Sequence, residues 1–158
     1  MHIEPYHPDH LAQIIALSLR AWAPVFASLE KAMPPALYDH FYPDWRDSQR
    51  KVVEKTCMAE DSTVWVSRVG QQVVGFAALK LDAEDGMGEI YMIAVDPDHQ
   101  RSGVATALMQ HALAWMKQRG VAVAMVETGA DPGHAPARRT YESLGFSEFR
   151  VARYFLKL

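Results

Sequence analysis

The sequence predicts a mixed α/β fold: a mostly antiparallel central sheet flanked by helices, in one domain spanning residues 1–158. Three observations favour it. Apolar residues recur at helical spacing before residue 60, β-branched and aromatic residues dominate from 62 to 95, and helical and strand patterns alternate thereafter. A chain of 158 residues is long enough to bury a sizeable core.

The pattern of the N-terminal third predicts a short strand followed by helices. "HIEPY" is a candidate first strand, and Asp9 is the predicted N-cap of a helix over "HLAQIIALSLRAW". "MPP", residues 33–35, either breaks the chain or begins a new helix in its first turn. "WRDSQRKVVEKTCMAE" is the predicted third helix.

A hairpin opens the sheet-rich part. "TVWVSRV" and "QVVGFAALKL" are joined by a tight Gly70-Gln71 turn, "DAEDGMG" is a turn, and "EIYMIAV" is the next strand. A helix then runs from Ser102 to about Arg119, where Gly120 ends it. "VAVAMVE" predicts a strand covered on both faces, parallel to the strand before the helix.

The C-terminal part begins with a loop, "GADPGHAP", and continues into a short helix, "ARRTYESLG". The last thirteen residues, "FSEFRVARYFLKL", predict a final strand or a hairpin.

Composition narrows the class of protein. The charge of -3 gives no reason to expect nucleic acid, and the single cysteine fits a reducing compartment. The N-terminus lacks a signal-peptide pattern, and no run approaches the ~20 apolar residues of a membrane span. The histidines have no metal-ligand spacing with acids or the cysteine. We therefore expect a cytoplasmic protein without a metal, a membrane or a nucleic acid as partner.

The stretch "VDPDHQRSGVATALM" places small and polar residues where a strand leads into a helix. A helix N-terminus has unpaired backbone N–H groups and attracts anions. Gly103 and Ala105 are small enough to let an anion approach, Val104 faces inward, and Gln100 and Arg101 add donors. The pattern indicates a pyrophosphate site; the alternative is a simple turn with Ser102 as N-cap. Neither a Walker loop nor a dinucleotide-binding glycine pattern occurs.

"QRSGVA" resembles the Gln/Arg-x-x-Gly-x-Gly/Ala signature of the GCN5-related N-acetyltransferases (GNAT), a superfamily that uses acetyl-coenzyme A. "EIYMIAVDPDHQRSGVATALM" is similar to that family's fourth strand, exit loop and third helix, and "HAPARRTYESLGF" is similar to its last motif. The resemblance covers about residues 62 to 150 and implies the family's acyl-CoA N-acyltransferase fold.

The resemblance also implies a co-substrate, acetyl-CoA, and a reaction. The coenzyme's pyrophosphate would lie on Gln100, Arg101, Ser102, Gly103, Val104, Ala105 and Thr106, and its pantetheine arm along Ile93, Ala94 and Val95. The acetyl group would pass directly to a primary amine of a small molecule or peptide. A non-catalytic coenzyme-binding sensor or interaction module is the alternative function, and both a monomer and a homodimer stay open.

Three residues are candidates for chemistry or coenzyme contact. Tyr141 stands where the family has its acid; the alternative is a packing residue on an amphipathic helix. Glu89 is the candidate base; the alternatives are an exposed strand residue and a water relay. His134 replaces the Asn common in the family, and is a coenzyme contact, a base or a plain loop residue.

Two further features can be interpreted either as structural or as functional. The aromatic cluster of Trp22, Phe26, Tyr38, Phe41, Tyr42 and Trp45, interleaved with Asp39, Asp44 and Asp47, is either a helical core or the acceptor pocket. Cys57 is predicted to be a buried apolar residue rather than a nucleophile.

Overall fold

A computed structural model describes residues 1–82 and 84–158. A five-stranded sheet forms its centre, in the order β1-β2-β3-β4-β5. The strands are β1 (His2–Pro5), β2 (Ser62–Val69), β3 (Gln72–Asp82), β4 (Met87–Val95) and β5 (Val123–Met125). The first four are antiparallel and β5 is parallel to β4, so the predicted mostly antiparallel sheet is confirmed. The predicted turn "DAEDGMG" contains Ala83, which lies outside the described residues.

Within the described residues, five α-helices flank the sheet, and "MPP" proves to begin one of them. They are α1 (Leu11–Ala32), α2 (Pro35–Phe41), α3 (Trp45–Met58), α4 (Val104–Gln118) and α5 (Ala135–Ser143). The predicted N-cap of the first helix is wrong: Asp9 lies in a 3-10 turn, Pro8–His10, because the His7 ring accepts its backbone N–H. The α4 helix starts at Val104 rather than Ser102, since Gly103 at φ 86° forms its N-cap.

The core has a layer on each face of the sheet. On one face, Ile14 of α1 and Val53 of α3 pack with Val66 and Phe76, and all four are fully buried. On the other face, α4 packs its apolar side onto β3 and β4 through Leu108, Met109, Ala112 and Met116. Burial of these apolar surfaces fixes α1 and α4 on opposite sides of β4.

An irregularity in β4 changes which face its residues occupy. Ala78 pairs with Met92 but Leu79 pairs with Ile90, so Tyr91 is an extra residue, as in a β-bulge. Ile93 and Ile90 both pack on the α4 side. Simple alternation would put Glu89 on the same face as Val95, and the bulge moves it to the other face, opposite Lys80.

The predicted C-terminal strand or hairpin is wrong. In the described part of the chain, residues 146–158 form neither a strand nor a helix, and Phe149, Tyr154 and Leu156 are exposed. The neighbouring β5 is only three residues long and offers little backbone for pairing. Val123 of β5 is 57% exposed, so the prediction of a strand covered on both faces is also wrong.

The segment Pro8–Ala32, which contains α1, is long and apolar enough by composition to cross a membrane. The sequence expectation that no run approaches this length is therefore too strict. In this fold α1 packs through Ile14 and Leu17 onto the sheet, and soluble core helices commonly meet the same criterion.

Candidate active site

A cavity of about 990 Å³ opens where β4 and β5 part. The two strands pair only from Met87 to Glu89, opposite Val123 to Met125. Beyond that point, residues 90–95 line one side of the cavity and residues 126–128 the other. The first turn of α4, the α5 helix and the middle of α1 complete its walls. The volume is at the upper end of the range that small-molecule and cofactor sites occupy.

The backbone of β4 presents an open edge to this cavity. Asp96 donates its N–H to the Val74 carbonyl at 2.9 Å, and hydrogen-bonding direction alternates along an antiparallel strand. The backbone groups of Ile93 and Val95 therefore point toward β5, whereas those of Ala94 point toward β3. The Val95 carbonyl already accepts from Gln100 Nε2 at 3.2 Å. Ala94 lines the cavity but does not offer its backbone to a ligand at this edge.

The loop before α4 has the backbone shape of an anion site. Arg101 and Gly103 have φ of 58° and 86°, and the helix start has no side-chain cap. The predicted phosphate-binding residues that line the cavity are Gln100, Arg101, Gly103, Val104, Ala105 and Thr106. Ser102 does not: its hydroxyl donates to the His99 carbonyl. The alternative of a turn capped by Ser102 is therefore wrong, because the N-cap is Gly103.

An ion-pair network that the sequence analysis did not identify holds this loop in place. Arg20 of α1 donates to Asp96 Oδ2 and to Asp98 Oδ2, both at 2.8 Å. Asp96 is buried and its other oxygen accepts the Asp98 N–H at 3.0 Å. The hydrogen bond from Arg20 lowers the pKa of Asp98. Arg20 and Asp96 are far apart in sequence, so no local pattern could have paired them.

Tyr141 lies in the cavity, and Glu89 does not. Burial raises the pKa of Tyr141 to about 12, so its phenol stays protonated at neutral pH. Glu89 lines a separate, smaller pocket with Asp61, Lys80 and Asp82. The β4 bulge accounts for this separation, and the structure does not bring the predicted acid and base together.

Cys57 is buried in the core on the α3 side, and burial raises the pKa of its thiol to about 11. A protonated, buried thiol away from the cavity is inert as a nucleophile. The prediction of a packing role therefore agrees with its position.

His134 also lines the cavity, at the start of α5. Its Nδ1 contacts Asp131 Oδ1, and the Asp131 side chain is 7% exposed. Asp131 was not selected from the sequence. The spacing Asp-x-x-His across "DPGH" was the available signal, because the Pro132–His134 turn brings its ends together.

Five of the six residues of the aromatic cluster do not line the cavity, and Phe41 among them is exposed. Trp22 lines the cavity, but Phe26 and Tyr38 are buried, and Trp45 stacks on Phe26 with a centroid distance of 4.5 Å. Asp44 caps α3 by accepting the Asp47 N–H.

Side chains from α1, from α3 and from the segment after β5 line the side of the cavity opposite β4. They are Trp22, Pro24, Val25, Gln49 and Glu127. Glu127, which follows β5, is the carboxylate that sequence analysis missed. It binds Arg153 at 3.2 Å.

The chain resembles proteins of known type. Residues 22–146 match the sequence model of the acetyltransferase (GNAT) family. The ribosomal protein bS18-alanine N-acetyltransferase of Escherichia coli strain K12 is 42% identical over 66 residues, which span 42% of this chain and 43% of that protein. The match thus covers less than half of that relative.

Solved structures match over more of the chain. The crystal structure of the Escherichia coli ribosomal-protein-S18-alanine N-acetyltransferase has a TM-score of 0.69 at 26% identity, covering 94% of this chain and 79% of that one. An aminoglycoside 6'-N-acetyltransferase from Acinetobacter haemolyticus has a TM-score of 0.71 at 22% identity over 100% of this chain and 99% of that one. The second likeness shows the fold alone.

Proposed function

Since the chain belongs to the acetyltransferase (GNAT) family, we propose that it transfers the acetyl group of acetyl-CoA directly to a primary amine. The amine belongs to a small molecule or to a peptide. The observation that carries this proposal is one continuous cavity joining the open edge of β4, the start of α4 and Tyr141.

The cavity suits the two chemically different parts of coenzyme A. The outward backbone groups of Ile93 can hydrogen-bond an amide-containing arm, as strand addition does. The start of α4 at Gly103 supplies N–H groups and a positive dipole end for the pyrophosphate. Arg101 adds a cationic side chain at the same place. These donors support acetyl-CoA as the co-substrate.

The reaction needs an unprotonated amine, a donor to the oxyanion and a donor to the leaving thiolate. The outward N–H of Val95 is suited to the oxyanion, since its direction is fixed by the β3–β4 pairing. Tyr141 is suited to the thiolate. With a pKa of about 12, proton transfer to a thiolate whose conjugate acid has a pKa of about 8.5 is uphill by about 5 kcal/mol. Tyr141 therefore acts chiefly by donating a hydrogen bond that strengthens as the C–S bond breaks.

The acceptor approaches from the side lined by α1 and by residues 126–128. Trp22 and Val25 provide an apolar wall, and the face of the Trp22 ring suits a cationic amine. The relatives named above act, by their names, on a ribosomal protein and on aminoglycosides. Both are amine-bearing classes, and they define the first substrates to test.

The test measures coenzyme binding and turnover separately. CoA and acetyl-CoA should raise the melting temperature of the protein. Thiol release should then appear with at least one member of a panel of aminoglycosides, polyamines and peptides with a free N-terminus.

Tyr141→Phe is the matched variant for this assay, because it removes only the hydroxyl. It should lower kcat by about 10²-fold or more and leave the KM for acetyl-CoA unchanged. No thermal shift with millimolar CoA overturns the proposal. A shift without turnover across the panel favours the sensor alternative.

A further inference from the structure

A short turn between β5 and α5 holds a carboxylate against an imidazole beside the cavity. Asp131 and His134 stand at the two ends of the turn Pro132–His134, with Asp131 Oδ1 against His134 Nδ1. The second carboxylate oxygen accepts the Gly133 N–H at 3.0 Å. Both carboxylate oxygens are therefore engaged, one of them by the ring.

Side chains of two helices hold the turn that carries Asp131 and His134 in place. Ser28 of α1 accepts the Gly133 N–H at 2.9 Å, and Arg138 of α5 donates to the Asp131 carbonyl at 3.0 Å. A methyl group at Gly129 would lie 2.5 Å from Asp131 Oδ1 and 2.7 Å from His134 Nδ1. The glycine backbone thus packs directly against the pair, and a turn whose only task was to connect β5 to α5 would not need this fit.

The carboxylate is held in its charged form. Burial raises the pKa of Asp131, but hydrogen bonds from His134 and Ser28 and the charge of His134 outweigh it, so the pKa lies below its usual value. An ionised carboxylate accepts hydrogen bonds only, so the facing Nδ1 must carry the proton. Nε2 then bears the lone pair, and it has no hydrogen-bond partner among the residues that the structure describes.

We infer that His134 is the proton acceptor for the incoming amine, with Asp131 as the positioning residue that fixes its tautomer. The inference rests on the proposed function and names a catalytic residue for it. Two carboxylates compete for the role. Glu89 lines a different pocket, and Glu127 is 70% exposed and bound to Arg153.

The protons balance across the reaction. Nε2 of His134 takes one proton from the ammonium and later passes it to solvent. The neutral amine forms an N–C bond to the thioester carbonyl carbon, and the C–S bond then breaks. The second proton lost by the nitrogen matches the one gained by the thiolate, to which Tyr141 donates its hydrogen bond.

Other titratable groups face the same cavity and could shape its pH profile. They are Tyr91, His99, Arg101, Glu127, Arg139 and Tyr141, while Asp131 and Arg138 flank the imidazole.

The variant His134→Asn separates proton transfer from coenzyme contact. An asparagine amide can still donate a hydrogen bond to the coenzyme, but it cannot take up a proton. The proposal expects kcat to fall by about 10²- to 10⁴-fold at pH 7, with the KM for acetyl-CoA unchanged. It also expects the acid limb of the kcat profile to disappear. His134→Gln is the second variant, should the first fold poorly.

Asp131→Asn tests the pair itself. Loss of the carboxylate removes the charge that stabilises the imidazolium, so the acid limb should move to lower pH. In the wild-type protein, side-chain nitrogen NMR should show His134 protonated on Nδ1 in its neutral form, a readout that needs no turnover.

Several results would overturn the inference. One is an NMR spectrum in which the neutral His134 ring is protonated on Nε2. Another is a His134→Asn variant with wild-type kcat and an intact acid limb. A third is the loss of that acid limb in His99→Gln or Glu127→Gln instead. Wild-type protein that binds CoA but turns over no amine refutes the proposed function as well. An Nδ1-protonated ring in such protein would show that the pair forms without the reaction, so the two failures are distinguishable.

Discussion

The two sides of the cavity are built in different ways. The side formed by β4, the exit loop and α4 is one continuous piece of chain, from residue 87 to 118. The opposite side is assembled from α1, α3, α5 and residues 126–128, 133 and 134. The first offers mainly backbone groups and the second mainly side chains.

This difference explains why the sequence located most residues of the first side but, on the second side, only single residues such as Trp22, His134 and Tyr141. The geometry of a strand edge and a helix start follows from local hydrogen bonding, so a short pattern such as "QRSGVA" is enough to locate it. On the other side, Trp22, Gln49 and Glu127 become neighbours only through tertiary packing. The first side should therefore respond to backbone changes and the second to single side chains.

Gly103 offers the sharpest test of the backbone side. Gly103→Ala places a methyl group where the coenzyme's phosphates are expected, at φ 86°, a conformation that costs a residue with a Cβ about 1–2 kcal/mol. The KM for acetyl-CoA should rise by about tenfold or more, which corresponds to at least ~1.4 kcal/mol of binding.

Gly120 at the other end of α4 gives a matched control. It has φ 74°, and an added Cβ there, as at Gly103, would meet no atom within 4 Å. Gly120→Ala should lower the melting temperature by a similar few degrees without changing the KM for acetyl-CoA. Equal KM values in the two variants would mean that the loop before α4 does not contact the coenzyme.

Two tryptophans of the predicted aromatic cluster test the side of the cavity that offers mainly side chains. Trp22→Leu should raise the acceptor KM by about fivefold, or ~1 kcal/mol, because Trp22 lines the cavity. Trp45→Leu should leave that KM unchanged, because Trp45 stacks on Phe26 away from the cavity. Both should lower the melting temperature, since Trp22 also packs 6.4 Å from the Phe76 ring. The reverse pattern of KM changes would place the acceptor over α3 instead.

The smallest predicted effect is a loss of folding stability that distinguishes Cys57 from Tyr141 and appears only at alkaline pH. Burial raises the pKa of Cys57 to about 11 and that of Tyr141 to about 12. Both groups therefore stabilise the fold below their unfolded values of about 8.5 and 10, and this contribution is lost as pH rises through the folded values. Each should cost up to about 1.4 kcal/mol per pH unit within its window.

Urea unfolding at a series of pH values checks this order. Cys57→Ala should flatten the loss of stability between about pH 8.5 and 10, where the thiol alone responds. Tyr141→Phe should flatten it only above about pH 10. A wild-type stability that stays constant up to pH 11 would contradict both assignments.

Predictions from the sequence succeeded where neighbours in the chain decide the structure. The Gly70-Gln71 hairpin, the α4 helix stopped by Gly120 and the helix containing Tyr141 all formed as expected. The predictions failed where the local structure depends on a hydrogen-bonding partner outside the predicted element. Residues 146–158 have strand-like composition but no partner strand in the described part of the chain. Asp9 has the chemistry of an N-cap, yet the His7 ring takes its N–H.

The sequence by itself determined the order of the elements as far as α5, the mixed sheet and the position of the loop before α4, where an anion site is predicted. Backbone propensity and apolar periodicity act over a few residues, and both are written in the chain. Only the tertiary structure decided that Glu89 lies outside the cavity and that Arg20 holds the exit loop in place through Asp96. One extra residue in β4 reverses which face every residue before it occupies, and composition carries no mark of that shift.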